Sequence, residues 1–183
     1  VIISRNMRGS DNTPVCETVG IITFRQEGTD GVSQENDKLC TVFNRLGMRV
    51  VFFAGELSDS HATPGSIVIP EMRLDDPVAQ ALGRRAFGTA NPDPTLVEDI
   101  YKQADSITSE LKPAVDRANP DFTVAQNLFA IPMNIPLTQA VANITAIRRQ
   151  KGAHHNHDYG LWERPDRYGT TSISSYLNQR FPW

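Results

Sequence analysis

Two cysteines in 183 residues, Cys16 and Cys40, are too few and too far apart for a disulfide framework or a zinc cluster. Their plain reading is reduced thiols in a cytosolic protein, with Cys40 packed on a helix. Basic residues are not in excess either. Lys+Arg number 18 against Asp+Glu 21, a net charge of −3, which argues against a general nucleic-acid binder. No apolar run reaches the roughly 18 residues that a membrane span needs. The start, Val1-Ile2-Ile3-Ser4-Arg5, has no charged leader and no long apolar core, so a signal peptide is not expected and a cytoplasmic location is. It also lacks Met, as a processed, trimmed or fragmentary chain would. Repeats, low-complexity tracts and interdomain linkers are missing.

What is present suits one folded domain. Hydrophobic residues make up 39% of the chain, and a domain of this length buries roughly 70% of the surface its unfolded form exposes. Val19-Gly20-Ile21-Ile22-Thr23-Phe24 reads as a strand buried on both faces. A helix follows, with Leu39, Val42, Phe43 and Leu46 on one face and Gly47 at its left-handed cap. Arg49 to Ala54 is a second buried strand, and together these form a βαβ unit. Ile67-Val68-Ile69 is a small strand, and Asp76-Pro77 opens a short helix. Thr95 to Glu98 reads as a capping box, ahead of an apolar stripe of Val97, Ile100, Tyr101, Ala104 and Leu111 that Pro113 should bend or end. Phe122 to Ala125 is a further strand, with Gln126-Asn127 at its carboxyl end. Leu137, Ala140, Val141 and Ile144 mark the next helix, and Ser172 to Arg180 the last. The alternation predicts a doubly wound α/β layer structure over residues 19–183, with 1–18 as an N-terminal extension.

Ligands of open parallel sheets bind beyond the carboxyl ends of the strands, and three polar constellations fall there. The first is Glu27-Gly28-Thr29-Asp30-Gly31-Val32-Ser33. Its glycines permit a tight turn, and the helix start offers amides to a phosphate; equally, it is a plain βα turn with Asp30 or Ser33 as N-cap. The second is His154-His155-Asn156-His157-Asp158. Strand alternation lets at most His155 and His157 share one side. With His61 isolated, a zinc site is short of ligands, so catalytic or hydrogen-bonding uses are favoured over a metal, beside the plain reading of a solvated loop of histidines. The third runs from Tyr159 to Tyr168 and contains Trp162, Glu163 and Arg164. It reads either as a sugar platform or as a Trp anchor beside a surface ion pair. The stretch Arg148 to Ala153 ahead of the histidines is too polar for a central strand.

In their order these segments, with Phe53-Ala54-Gly55-Glu56-Leu57 and Ile131-Pro132-Met133-Asn134-Ile135-Pro136-Leu137, resemble a known family. The likeness is to the N-terminal half of bacterial and archaeal retaining glycosyltransferases of the GT-B fold, of a family-4-like group, and covers about residues 19–183. It implies a Rossmann-like three-layer domain with a mostly parallel sheet, facing a second such domain across a cleft. The N-terminal domain of that family mostly holds the acceptor, and the C-terminal one grips the nucleotide-sugar.

Carried over, the resemblance gives catalytic roles to His157, facing the transferring sugar, and to Asp158. It gives substrate-binding roles to Gly28, Thr29, Asp30, Gly31, Asn127, Asn134, His155, Trp162, Glu163 and Arg164. No obligatory cofactor or metal is implied; the partners are a nucleotide-sugar and a hydroxyl acceptor. No second half follows Trp183, so the chain alone is expected to be inactive. Its cleft face, around Trp162 and Phe181-Pro182-Trp183, is expected to meet the missing domain or another copy. Two other readings stand beside this one: a non-catalytic sugar, nucleotide or protein-binding module, and a metal-dependent hydrolase using the histidine cluster.

Overall fold

The computed structural model describes residues 16–148 and 151–178, and for Leu161 and Trp162 the backbone alone. In chain order the elements are β1 (Thr18–Gln26), α1 (Gly31–Arg45), β2 (Arg49–Leu57), β3 (Ile67–Val68), α2 (Pro77–Ala86) and α3 (Leu96–Ala118). Then come β4 (Phe122–Gln126), α4 (Ile135–Arg148), β5 (Gly152–His155), and the one-turn helices α5 (Gly160–Glu163), α6 (Pro165–Tyr168) and α7 (Ser174–Leu177). The five strands form one parallel sheet in the order β3-β2-β1-β4-β5. This is the α/β, Rossmann-like architecture expected from the alternation of elements.

Strand periodicity places the core. Along β1, Ile22 and Phe24 pack with Val51, Phe53 and the buried stripe of α3 and α4, whereas Val19 and Ile21 pack with Phe52, Val124 and Phe43 of α1. The sheet is therefore covered on both faces, which is what a parallel sheet requires. Strand order reverses at β1, whose neighbours are β2 on one side and β4 on the other. The gap beyond the carboxyl ends of β1 and β4 is thus the topological switch point, where such sheets bind ligands.

Several local expectations are corrected. Thr95 makes no capping bond, because its hydroxyl accepts from Arg85 at 2.9 Å and donates to Asp93. Arg85 also bonds Asp93 and Asp99, so a long-range clamp has taken the group that the local motif would use. Tyr101 is exposed, and the buried stripe of α3 runs through Leu96, Ile100, Ala104, Ile107 and Leu111. Pro113 does not end that helix; Ala114 and Val115 behind it are buried, and Asn119 closes it in the left-handed region at φ 43°. Val42 is exposed rather than part of the core face of α1. The last helix is a single turn, Ser174–Leu177, and its expected end at Arg180 lies outside the described residues, as do residues 1–15, Arg149-Gln150 and Phe181-Pro182-Trp183.

Of the described residues in the stretch before the histidines, Arg148 ends α4 and only Gly152 and Ala153 enter a strand, β5, which also takes in His154 and His155 and lies on the edge of the described sheet. An edge tolerates the polarity that a central position would not.

Candidate functional site

The first constellation is a βα turn that caps itself. Gly28 supplies a φ of 82°, which side-chain-bearing residues rarely adopt. Asp30 is the N-cap of α1: its Oδ1 accepts from the amides of Val32 at 3.1 Å and Ser33 at 3.2 Å. Its Oδ2 accepts from the Ser33 hydroxyl at 2.7 Å and from Arg25 Nε at 3.1 Å. Partial burial works against ionisation of Asp30, but the bonds from Ser33, Val32 and the Arg25 charge together hold its carboxyl below the usual range. Two of the helix's first amides are therefore already filled by an anion. Those of Gly28, Thr29 and Gly31 donate to no described group within their own turn.

Behind this turn lies a buried chain of amides that sequence reasoning missed. Gln26, Asn36 and Gln126 are at most 1% exposed. Asn36 Nδ2 donates to Gln26 Oε1 at 2.8 Å, and Gln126 Nε2 donates to Asn36 Oδ1 at 2.6 Å. Gln26 Nε2 donates onward to Asp37 at 2.8 Å and to the Ser33 carbonyl at 3.2 Å. Asp37 in turn lies 2.8 Å from His61 Nε2. The amides tie β1, α1 and β4 together across the switch point. The one available signal was a glutamine closing each of the two strand runs, at positions 26 and 126.

The second constellation sits beside it. Register pairs Gln126 with His155 and Ala125 with His154, and paired residues of a parallel sheet point to the same face. His155 and His157 do share one side, their ring centroids 4.5 Å apart. His154 points to the other and stacks on Phe129 at 4.0 Å. Asn127, in the left-handed region at φ 56°, holds the turn. Its Oδ1 accepts from the amides of His157 and Asp158, and its Nδ2 donates to Asp158 Oδ2 at 2.9 Å. Asn127 thus positions the two residues assigned catalytic roles.

The amide chain links α1 to the strand end that pairs with the second constellation. Glu35 on the first turns of α1 is held below its ordinary carboxyl range first by a hydrogen bond from Lys38, with the charges of His157 and His155 contributing. At this junction four polar atoms are buried without a hydrogen-bond partner among the described residues: Gln126 Oε1, His155 Nδ1, Asn156 Oδ1 and His157 Nε2. Folded proteins leave few such atoms, so a local concentration marks a place where water or a ligand completes the bonding. Among the described residues no three His, Cys, Asp or Glu side chains converge as metal ligands.

The other predicted residues fall elsewhere. Asn134 is fully buried; its Nδ2 donates to the carbonyls of Glu71 and Arg73, and its Oδ1 accepts from the Leu137 amide at 3.0 Å. Its amide is spent on fastening the start of α4. Glu163 and Arg164 are exposed, and Glu163 Oε1 accepts from the Tyr159 amide at 3.3 Å. The side chain of Trp162 lies outside the described residues. Burial, then Asp37, pushes the Cys40 thiol up to about 11, and burial raises Cys16 as well, so both are protonated at neutral pH.

Burial lowers the imidazoles of His154 and His155 below their ordinary range, with His157 adding to the effect at His155. A base whose folded pKa is depressed binds fewer protons folded than unfolded, so stability is lost as pH falls. The loss should begin near the ordinary imidazole value of about 6.5 and continue downwards. Thermal melts between about pH 7.5 and pH 5 should show Tm falling. The double variant His154→Phe/His155→Gln should flatten that slope, and a slope unchanged by it would refute the assignment.

The fold is a parallel α/β domain with a polar edge at its switch point. The chain is 24% identical over 168 residues to the mannosylglucosylglycerate synthase of Petrotoga mobilis (strain DSM 10674 / SJ95), a match covering 90% of this chain and 37% of that protein. That likeness supports a glycosyltransferase relationship. No family model matches, and no solved structure does. No helix among the described residues is long and apolar enough to cross a membrane.

Proposed function

We propose that the chain is the acceptor-side domain of a retaining, GT-B-type glycosyltransferase that moves a sugar from a nucleotide-sugar to a hydroxyl group. The observation that carries this reading is the cluster at the switch point formed by Gln126, His155, Asn156 and His157, whose buried polar atoms have no hydrogen-bond partner among the described residues. The likeness to a sugar-transferring synthase over 90% of the chain supports it.

In this reading the open amides of Gly28, Thr29 and Gly31 lie against the donor diphosphate. Asp30 brings a negative charge to the same turn, and its only described ion-pair partner, Arg25, is occupied by it. In this reading the cations that balance the diphosphate come from a second domain. His157 meets the transferring sugar, its backbone fixed by Asn127 so that the imidazole enters the transition state without reorganising. Asp158, anchored by the same asparagine, accepts hydrogen bonds from sugar or acceptor hydroxyls. His155 backs His157, and Glu163, Arg164 and Trp162 border the acceptor.

The test has two parts. Incubated alone with a panel of nucleotide-sugars and polyol acceptors, the chain should show no turnover. A protein in which this sequence continues into a second α/β domain should transfer sugar with retained anomeric configuration. There, His157→Ala should lower kcat by roughly 10²–10³-fold, the cost of one lost transition-state donor. Turnover that inverts configuration, or that is indifferent to His157, would overturn the assignment.

A further inference from the structure

A separate groove of about 220 Å³ lies between α2 and α6, and none of the histidines lines it. Its walls come from segments that follow β3, β4 and β5: Gln80, Arg84 and Phe87 of the α2 region, Met133 after β4, and Arg167 and Tyr168 of α6. Its lining includes two arginines and no carboxylate, in a chain whose net charge is −3. That local excess of positive charge runs against the composition of the whole.

The arginines differ from the one beside them. Arg85 is consumed by Asp93 and Asp99, whereas neither Arg84 nor Arg167 forms an ion pair among the described residues. The Arg167 guanidinium instead sits 5.2 Å above the ring of Tyr168, a cation–π contact that holds it at the groove wall. Tyr168 is 2% exposed, and its hydroxyl is buried without a hydrogen-bond partner among the described residues. Its ring meets Phe87 edge to face at 5.0 Å.

The walls are also tied together. The Gly88 amide donates to the Thr170 carbonyl, the Ser172 amide to the Ala86 carbonyl, and Phe87 bridges Thr171. A groove braced this way loses little freedom when a ligand enters.

We propose that this groove binds the oxyanion end of a small organic acid, a carboxylate or a phosphate ester, between the Arg84 and Arg167 guanidinium groups. Guanidinium forks match the paired oxygens of both anions. The apolar walls of Phe87, Met133 and Tyr168 receive the carbon skeleton. The volume is below that of ordinary drug-sized pockets, roughly 300 Å³ and more, so the ligand portion held here is a few carbons long. If the transferase reading holds, this is where the acidic group of an acceptor is anchored. The acceptor role rests on that reading; the anion site does not.

The decisive experiment is a titration of the ¹⁵N-labelled chain, followed by amide shifts, with sodium glycerate, glycerol 3-phosphate and uncharged glycerol. At least one acid should saturate by about 20 mM and move Gly83, Gly88 and Met133, while glycerol leaves them unmoved. Saturation by glycerate alone assigns a carboxylate, and by the phosphate ester alone a phosphate. Arg84→Gln/Arg167→Gln should weaken binding at least about tenfold with an unchanged Tm. If that pair unfolds early, the exposed single change Arg84→Gln serves, with a smaller loss.

The proposal falls if neither acid saturates, if glycerol acts as the acids do, or if the variants bind like the parent. A parallel titration with nucleoside diphosphates reads the amides of Gly28 to Ser33. Shifts there with a silent groove sink the groove and leave the transferase reading. The reverse leaves an anion site and removes support for the donor loop.

Discussion

Replacing Asn36 by alanine should lower the unfolding free energy by about 2–5 kcal/mol, because it strands two buried amides at once. Asn36 is fully buried; it donates to Gln26 Oε1 and accepts from Gln126 Nε2. Without it both of those buried atoms lose their bond. Each buried polar group left unmet costs about 1–3 kcal/mol. Gln126 would be worst placed, since its Oε1 already lacks a partner among the described residues. Asn36→Leu separates the polar cost from the cavity cost, since it fills space while leaving both glutamines unmet. Urea titration of the three proteins decides the matter. A loss below about 1 kcal/mol in both variants would mean that the amide chain is not a structural tie. The amide chain holds the first turns of α1 against the end of β4.

Gly55→Ala should cost about 3 kcal/mol or more, at the upper end of overpacking. A methyl built on Gly55 would lie 2.5 Å from the Arg73 amide nitrogen, 2.6 Å from the Phe24 carbonyl oxygen and 2.7 Å from the Arg73 Cα. All three are backbone atoms, so no side chain can swing away, and relief requires β1 or the segment after β3 to move. Gly83→Ala provides the opposite control. Nothing lies within 4 Å of its added methyl, and it sits inside α2, so helix propensity predicts a gain of about 0.5–1 kcal/mol. Thermal melts of the pair should move in opposite directions. Parallel losses of similar size would refute the packing account.

The parts of the fold that were legible in the sequence are those whose causes are local. The apolar run at positions 19–24 became β1, Asp30 became the N-cap of α1, Gly47 took φ 78°, and Asp76 capped α2. The pairing of His155 with His157 on one side followed from the two-residue period of a strand. Thr95 shows where local logic stops: a sound capping motif gave way to an arginine ten residues away in sequence. Val42 and Tyr101 satisfied helical spacing but sit at the margins of their stripes, where the neighbouring layer leaves them exposed.

Of the site, the two polar turns could be read in advance, and the amide chain behind them could not. Asn36 reaches its partners across 10 and 90 residues of sequence, and nothing near position 36 announces this. Asn134 has the same composition as a ligand-binding residue, yet its amide fastens main chain. Only the surroundings distinguish these uses.

By itself, then, the sequence determined most element types, the Asp30 and Asp76 caps, the α/β class and the two polar turns at the strand ends. Each depends on side chains within a few residues of one another, so short-range sterics, hydrogen bonding and periodicity suffice. The tertiary structure decided the order β3-β2-β1-β4-β5, the edge position of β5, the amide chain across the switch point and the arginine-lined groove. Those depend on which apolar faces bury one another best across the whole chain. Hydrophobic burial is non-directional and shared among all elements, so no segment carries its neighbour's identity within itself.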